Sequence, residues 1–286
     1  MDLIAYKTMP QWGADDLPKA FLQHHNTKAG TWGHVQVLQG ELMYYAMDEA
    51  GNILSETRLN PQNTPLFVEP QAWHKVAPLS EDMRMQLSFY CEKSDYFTKK
   101  YGMTAIHSAV KHMLDIVPPC TVLDLGCGQG RNALPLSLMG YRVRAADYQP
   151  AAVESIARLA TEMQLPLDTA VYDIHQADIA GEYDCIISTV VMMFLQADKI
   201  PAIIADMQAK TRRGGYNLIV CAMHSADYPC HMPFSFTFAE GELRRYYQDW
   251  QLHVYEEAPG KMHATDAQGN PIELTFVTML AQKHYN

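Results

Sequence analysis

Val122-Leu123-Asp124-Leu125-Gly126-Cys127-Gly128-Gln129-Gly130-Arg131-Asn132 is the stretch from which the rest of the chain can be read. Val122 to Leu125 form a short apolar strand interrupted by one acid. Three glycines at alternate positions then let the backbone turn tightly and approach a ligand, and Ala133-Leu134-Pro135-Leu136 opens a helix. Strand, glycine turn and helix in that order make a nucleotide-cofactor loop, and the spacing narrows the cofactor. A dinucleotide fingerprint wants its third glycine one position later, where this chain has Arg131, and it seats a pyrophosphate on the helix N-terminus. Asp124 beside the turn would repel that pyrophosphate. An acid suits a cation instead, such as the sulfonium and ammonium groups of S-adenosylmethionine.

Two further acids fit the same cofactor. Tyr141-Arg142-Val143-Arg144-Ala145-Ala146-Asp147 alternates like a strand and ends in a carboxylate about twenty residues after the turn, where ribose hydroxyls are held. Thr169-Ala170-Val171-Tyr172-Asp173-Ile174 closes another apolar run with an acid placed to accept a hydrogen bond from an adenine amino group. Three strand ends thus aim acids at one crevice. The expected cofactor-binding set is Tyr101, Asp124, Gly126, Gly128, Arg131, Asp147, Asp173, Ile174 and Thr189. Thr189, ending a later strand, either faces the methyl group or caps the helix that follows. Tyr96 and Tyr101 either close over the cofactor as a lid or form an amphipathic stripe. Cys127, between two glycines, reads as a small residue fitting the turn.

The 286 residues, 48% of them apolar, suffice for one large or two ordinary packed domains. No apolar run reaches the ~18 residues of a membrane helix, and Met1 to Trp12 lack the basic start and apolar centre of a secretion signal, which places the chain in the cytoplasm. Six cysteines without a C-x-x-C pair agree with a compartment where thiols stay reduced. A formal charge of −10 and the lack of a Lys/Arg run argue against a nucleic-acid partner.

The first ninety residues differ in texture from the rest. Strand-like runs at Gly33–Leu38, Glu41–Ala46, Pro65–Val68 and Met83–Tyr90 alternate with turn-rich segments at short intervals, the pattern of a small β-sandwich or barrel. Helices are expected at Ser94–Tyr101 and Ile106–Ile116. From Val122 onward helices, Ala151–Glu162 and Ile200–Lys210, alternate with strands, Tyr183–Thr189 and Tyr216–Cys221. A helix at Glu240–Gln248 and two final strands, Gln251–Glu257 and Ile272–Gln282, follow. The expected boundary divides an all-β domain, 1–92, from an α/β domain, 93–286.

The second domain resembles the class I adenosylmethionine-dependent methyltransferases, and more narrowly the tellurite-resistance methyltransferase family. The resemblance rests on Asp95 to Tyr101, the glycine stretch itself, Ile187 to Leu195, Gly214 to Val220, Tyr228-Pro229-Cys230 and Gly269-Asn270. The front domain resembles the cupin-like module that precedes some members. The resemblance implies a Rossmann-like seven-stranded sheet after a small cupin-like β domain, and methyl transfer to tellurite or selenite. It also implies anion binding in the last hairpin, around Gly260-Lys261-Met262-His263, with His263 and Thr189 as the catalytic candidates. Here the sequence departs from the family pattern: Ala264 and Pro271 stand where arginines are expected. Oxyanion binding is then lost from this loop or moved to Lys261, His224 or His231.

Three functions compete at this stage: an oxyanion methyltransferase, a methyltransferase for another small nucleophile such as a thiol, and a non-catalytic sensor of oxyanion or metal. Nucleic-acid methylation is disfavoured because Ser188-Thr189-Val190-Val191 replaces the Asn/Asp-Pro-Pro-Tyr/Phe string that holds a flipped base. In the front domain His24, His25, His34 and His74 raise a metal, but Gly33-His34-Val35-Gln36 has glutamine where a cupin metal site has its second histidine. No metal site is therefore assigned. A dimer surface, making a homodimer, a recruiting platform and a small-ligand site stay open for this domain.

Overall fold

The computed structural model describes residues 2–225, 229–265 and 268–285, with 262–264 described by their backbone alone. The chain divides into two compact units, Met1–Met103 and Thr104–Asn286.

In the first unit seven strands run β1 (Leu3–Gly13), β2 (Trp32–Gln39), β3 (Leu42–Met47), β4 (Ile53–Leu59), β5 (Leu66–Val68), β6 (Trp73–Pro78) and β7 (Arg84–Glu92), followed by helix α1 (Tyr96–Tyr101). They pair antiparallel in two sheets, β1-β7-β2-β5 and β4-β3-β6. Alternation along β2 turns Val35 and Val37 inward, and along β7 it turns Met85 and Leu87 inward, where they meet Leu42, Leu59 and Val76 of the other sheet. Three of these strands, β1, β4 and β6, are not among the runs expected from the sequence. Six of the seven residues of β4 are exposed, so it carries no alternation to read.

The second unit opens with α2 (Ser108–Met113) and continues as β8 (Thr121–Leu125), α3 (Ala133–Leu138), β9 (Arg142–Asp147), α4 (Pro150–Glu162), β10 (Leu167–Val171), β11 (Tyr183–Thr189), α5 (Ile200–Lys210), β12 (Thr211–Ala222), α6 (Glu242–Tyr246), β13 (Gln251–Thr265) and β14 (Pro271–Gln282). One seven-stranded sheet in the order β10-β9-β8-β11-β12-β14-β13 results, the open sheet expected. The first five strands are parallel; β14 is antiparallel to both of its neighbours.

The central strands are apolar on both faces because helices cover both: Val122, Leu123, Asp124 and Leu125 of β8 are all buried. Pro150 starts α4, where a missing N–H costs nothing, and Val153 and Ile156 of that helix are buried. Ile200, Ile203, Ile204 and Met207 of α5 form a buried stripe at i, i+3, i+4 and i+7. The order reverses between β9-β8 and β11, which puts a crevice outside the carboxyl end of β8. At the other edge β13 and β14 stay paired past the end of β12, through Pro259↔Thr275, Gly260↔Leu274 and Lys261↔Glu273.

Candidate active site

The glycine loop leaves β8 and bends back over the end of β9. Gly126 and Cys127 donate their N–H groups to the Ala146 carbonyl at 2.8 and 3.0 Å, and Gly128 donates to Asp147 Oδ2 at 2.9 Å. All three glycines have positive φ: 79° at Gly126, 51° at Gly128 and 82° at Gly130. Gly126 also has no room for a side chain, since a Cβ there would lie 2.6 Å from Val191 Cγ2. Gly128 is the opposite case: a Cβ would meet nothing within 4 Å, so the loop is open on that side.

Asp124, 1% exposed, sits beneath this loop. Burial pushes its carboxyl up to about 7; the Ala133 N–H bond opposes the shift, the nearby Asp147 carboxylate adds to it and Arg131 works against it. Its Oδ2 is buried with no hydrogen-bond partner. A buried, half-satisfied carboxylate is costly unless a cation compensates it. Asp147 ends β9 with Oδ1 accepting the Gln149 N–H at 3.0 Å and Oδ2 the Gly128 N–H, which leaves lone pairs on both oxygens.

Asp173 follows β10 and caps the short 3-10 turn Ile174–Gln176. Its Oδ1 accepts the His175 N–H at 3.0 Å and faces Nδ1 of that ring at 2.8 Å. These bonds from His175 hold its carboxyl below the usual carboxylate range. Ile174 beside it is buried.

Thr189 ends β11 and is tied to the glycine loop by Asn132, a residue with no role assigned from the sequence. Asn132, 2% exposed, donates from Nδ2 to Thr189 Oγ1 at 2.9 Å, while its Oδ1 accepts the His107 N–H at 3.0 Å. The His107 N–H fixes the amide orientation, so Thr189 is the acceptor and keeps its own O–H for another group. Val190 follows with φ 60°, a conformation that a β-branched residue rarely takes, its N–H held on the Val220 carbonyl at 2.8 Å.

Beside Val190 lies a cleft of about 600 Å³, walled by Ile106, Arg131, Glu256, Lys261 and Phe276. Arg131 donates from Nε to the Ala105 carbonyl at 3.1 Å; half-burial lowers its pKa and Asp124 works the other way. Lys261 Nζ stands 3.6 Å from Glu273 Oε1. His224 accepts the Cys230 N–H at Nδ1, and His231 is exposed. The side chains of His263 and Ala264, and the whole of Tyr228, lie outside the described residues. Tyr101 ends α1 in the first unit, with Lys100 Nζ 5.4 Å from its ring centroid. Burial pushes the Cys127 thiol far up, which keeps it protonated and inert.

The sequence profile described as "Tellurite resistance protein TehB" matches residues 89–280. The chain belongs to this family. A second profile, "TehB-like domain", matches residues 7–87. A TehB relative from Haemophilus influenzae strain 10810, described as a probable S-adenosyl-L-methionine-dependent methyltransferase, is 51% identical over 282 residues, covering 99% of each chain. The crystal structure of TehB from Haemophilus influenzae superposes with a TM-score of 0.92 at 50% identity over 98% of each chain. The fold of the second unit is accordingly that of the class I methyltransferases, preceded by an all-β region. A protein of Eikenella corrodens carrying the name Hemagglutinin 1 is 60% identical over 239 residues, covering 84% of this chain and 80% of its own length. Membership of the TehB family thus extends over both units.

Proposed function

We propose that this chain transfers a methyl group from S-adenosylmethionine to a small nucleophile, and that the acceptor is a tellurium or selenium oxyanion, as tellurite or selenite. The observation that carries the reading is the buried Asp124 Oδ2, with no hydrogen-bond partner among the described residues, at the end of β8 beside the open face at Gly128 on the loop that follows. These residues fit the cofactor: a carboxylate awaiting a cation, and a backbone that lets a ligand approach. Methyl transfer from adenosylmethionine is also the activity in the description of the Haemophilus influenzae relative.

Asp124 would face the cationic methionine end, Asp147 the ribose hydroxyls, and Asp173 with Ile174 the adenine. Gly126 and Gly128 shape the loop, and Arg131 is the guanidinium available to the methionine carboxylate. When bound, the cofactor supplies a methyl group already activated on a sulfonium. The protein's task is then alignment and exclusion of water. No side chain need act as a base, because a +4 oxyanion presents a lone pair with no proton to remove. Thr189, oriented by Asn132, has a hydroxyl proton to donate to an acceptor oxygen, and His263 with Lys261 would supply the remaining donors. Tyr101 is the candidate lid.

The exposed carboxylate of Glu256 in the cleft, together with Ala264 and Pro271 in place of arginines, favours one second reading, a thiol acceptor whose proton Glu256 takes. A sealed-vial assay separates the two. Purified protein with adenosylmethionine and tellurite or selenite should yield adenosylhomocysteine and, as a second channel, a methylated tellurium or selenium oxyanion in solution. Silence in both channels, with cofactor binding demonstrated, refutes the oxyanion reading and turns the screen to thiols.

A further inference from the structure

The first unit contains a cavity of about 650 Å³ between its two sheets, within the size range of small-molecule sites. Its walls are apolar, with Val35, Val76, Met85, Leu87 and Phe89 facing inward from β2, β6 and β7. Its charged lining is one-sided. Lys7, Lys28 and Lys99 border the cavity and, among the described residues, no aspartate or glutamate does, in a chain where acids outnumber bases by 32 to 22. Lys99 is anchored there, its Nζ donating to the Ala29 carbonyl at 2.8 Å and to Thr31 Oγ1 at 2.9 Å.

Of the two histidines on the wall, His74 does not add to this charge. The His25 and His74 rings lie 4.1 Å apart between centroids, tilted by 56°, with each Nδ1 against a backbone carbonyl at 2.8 Å, that of Gln23 and that of Ala72. Burial lowers His74 to about 4, so that ring is neutral at pH 7. Among the described residues no three His, Cys, Asp or Glu side chains gather as a metal-binding group.

Gly33 indicates that the space is kept open. It lies inside β2 with an ordinary strand φ, and a Cβ there would stand 3.5 Å from Val68 Cβ and 3.8 Å from Leu87 Cδ1, normal van der Waals distances. No turn and no clash demands glycine, yet glycine weakens a strand and commonly marks the close approach of a ligand.

We propose that this cavity is a binding site for a small organic anion with an apolar body, the class to which medium-chain carboxylic acids belong. The apolar walls take the body and the lysine border takes the carboxylate, Lys99 foremost. A bare inorganic oxyanion would leave most of the volume unfilled and gain nothing from the walls. The site is independent of the glycine loop and of whatever the second unit methylates.

The test is calorimetric titration of the full chain with decanoate, decanol and tellurite, with and without saturating adenosylhomocysteine. Decanoate should bind one to one, unaffected by adenosylhomocysteine, and tellurite should give no signal that decanoate displaces. Lys99→Met should weaken decanoate about tenfold, the scale of one charge-assisted contact, while leaving decanol unchanged. Gly33→Val, which adds bulk to the cavity wall at a position where a Cβ meets only ordinary van der Waals contacts, should abolish decanoate binding. If Lys99→Met lowers the soluble yield, Lys28→Met, an exposed position, carries the charge test with a smaller loss. Absence of saturable binding at millimolar decanoate overturns the proposal. So does displacement by adenosylhomocysteine, or equal affinity in the parent and both lysine variants.

Discussion

Replacing Asp124 by Asn isolates the cost of keeping an acid under the glycine loop. In the folded chain burial raises the Asp124 carboxyl from its ordinary 3.8 to about 7. Between those values the unfolded chain has released the proton and the folded chain has kept it, so stability falls as pH rises, and the full loss is reached above pH 7. At about 1.4 kcal/mol per pH unit, the whole loss is about 4 kcal/mol, of which about 3 kcal/mol falls between pH 5 and pH 8. Asparagine keeps an oxygen for the Ala133 N–H and has no charge to desolvate. Urea unfolding of the cofactor-free protein should therefore show the D124N variant gaining about 3 kcal/mol on the parent between pH 5 and pH 8. The same variant should lose adenosylmethionine affinity, while the parent binds more tightly as Asp124 ionises toward pH 8. Parallel stability curves for the two proteins across this range would mean that Asp124 is already charged in the cofactor-free state and that its burial is compensated.

Asp147→Ala removes the acceptor for the Gly128 N–H together with the proposed ribose contacts, and should weaken adenosylhomocysteine about 10- to 100-fold in calorimetric titration, about 1–3 kcal/mol; undiminished affinity would exclude Asp147 from the site. Asn132→Ala leaves the His107 N–H and Thr189 without their partner and should lower kcat more than it raises KM; if KM alone moved, the amide would serve binding and not alignment. Gly126→Ala forces a side chain at φ 79° into Val191, and should cost about 1–3 kcal/mol of stability by thermal unfolding along with cofactor binding. Tyr247→Phe deletes the hydroxyl that accepts from buried Asn217 Nδ2 at 2.9 Å, and should destabilise the second unit by about 1–3 kcal/mol without altering cofactor affinity.

The second unit was legible because its chemistry and its burial write the same signal. A strand covered on both faces reads as an unbroken apolar run, and a single acid inside that run, as at Asp124, stands out against it. Asp147 and Asp173 gave a weaker signal, each closing a strand-like run that carries polar residues of its own. What escaped the sequence depends on distance or on backbone angle. Asn132 meets Thr189 across 57 positions, and nothing local announces that pair. The φ of Val190 is set by its place between β11 and the cleft, not by its own preference, which is against it. In the first unit β1 and β4 were missed because each has most of its residues partly or fully exposed, so neither shows a clean period of two. The cavity of that unit was invisible for a related reason: Val35, Val76 and Leu87 would read alike whether they closed a core or lined a space.

The overhang of β13 and β14 beyond β12 separates two kinds of inheritance. Asp124 and Asp147, proposed for the cofactor, stand on parallel strands locked between two neighbours, where a shifted residue would reverse which side chains face inward. Gly260 and Lys261, with their partners Leu274 and Glu273 on β14, lie past the last pairing with β12, yet Gly260 and Lys261 help to wall the cleft. That wall can lengthen, shorten or change its charge two residues at a time with the cofactor site untouched. Replacement of the expected arginines by Ala264 and Pro271 is a change of this sort, so descendants of one methyl-transferring ancestor can diverge in what they accept while still sharing the way they hold the donor.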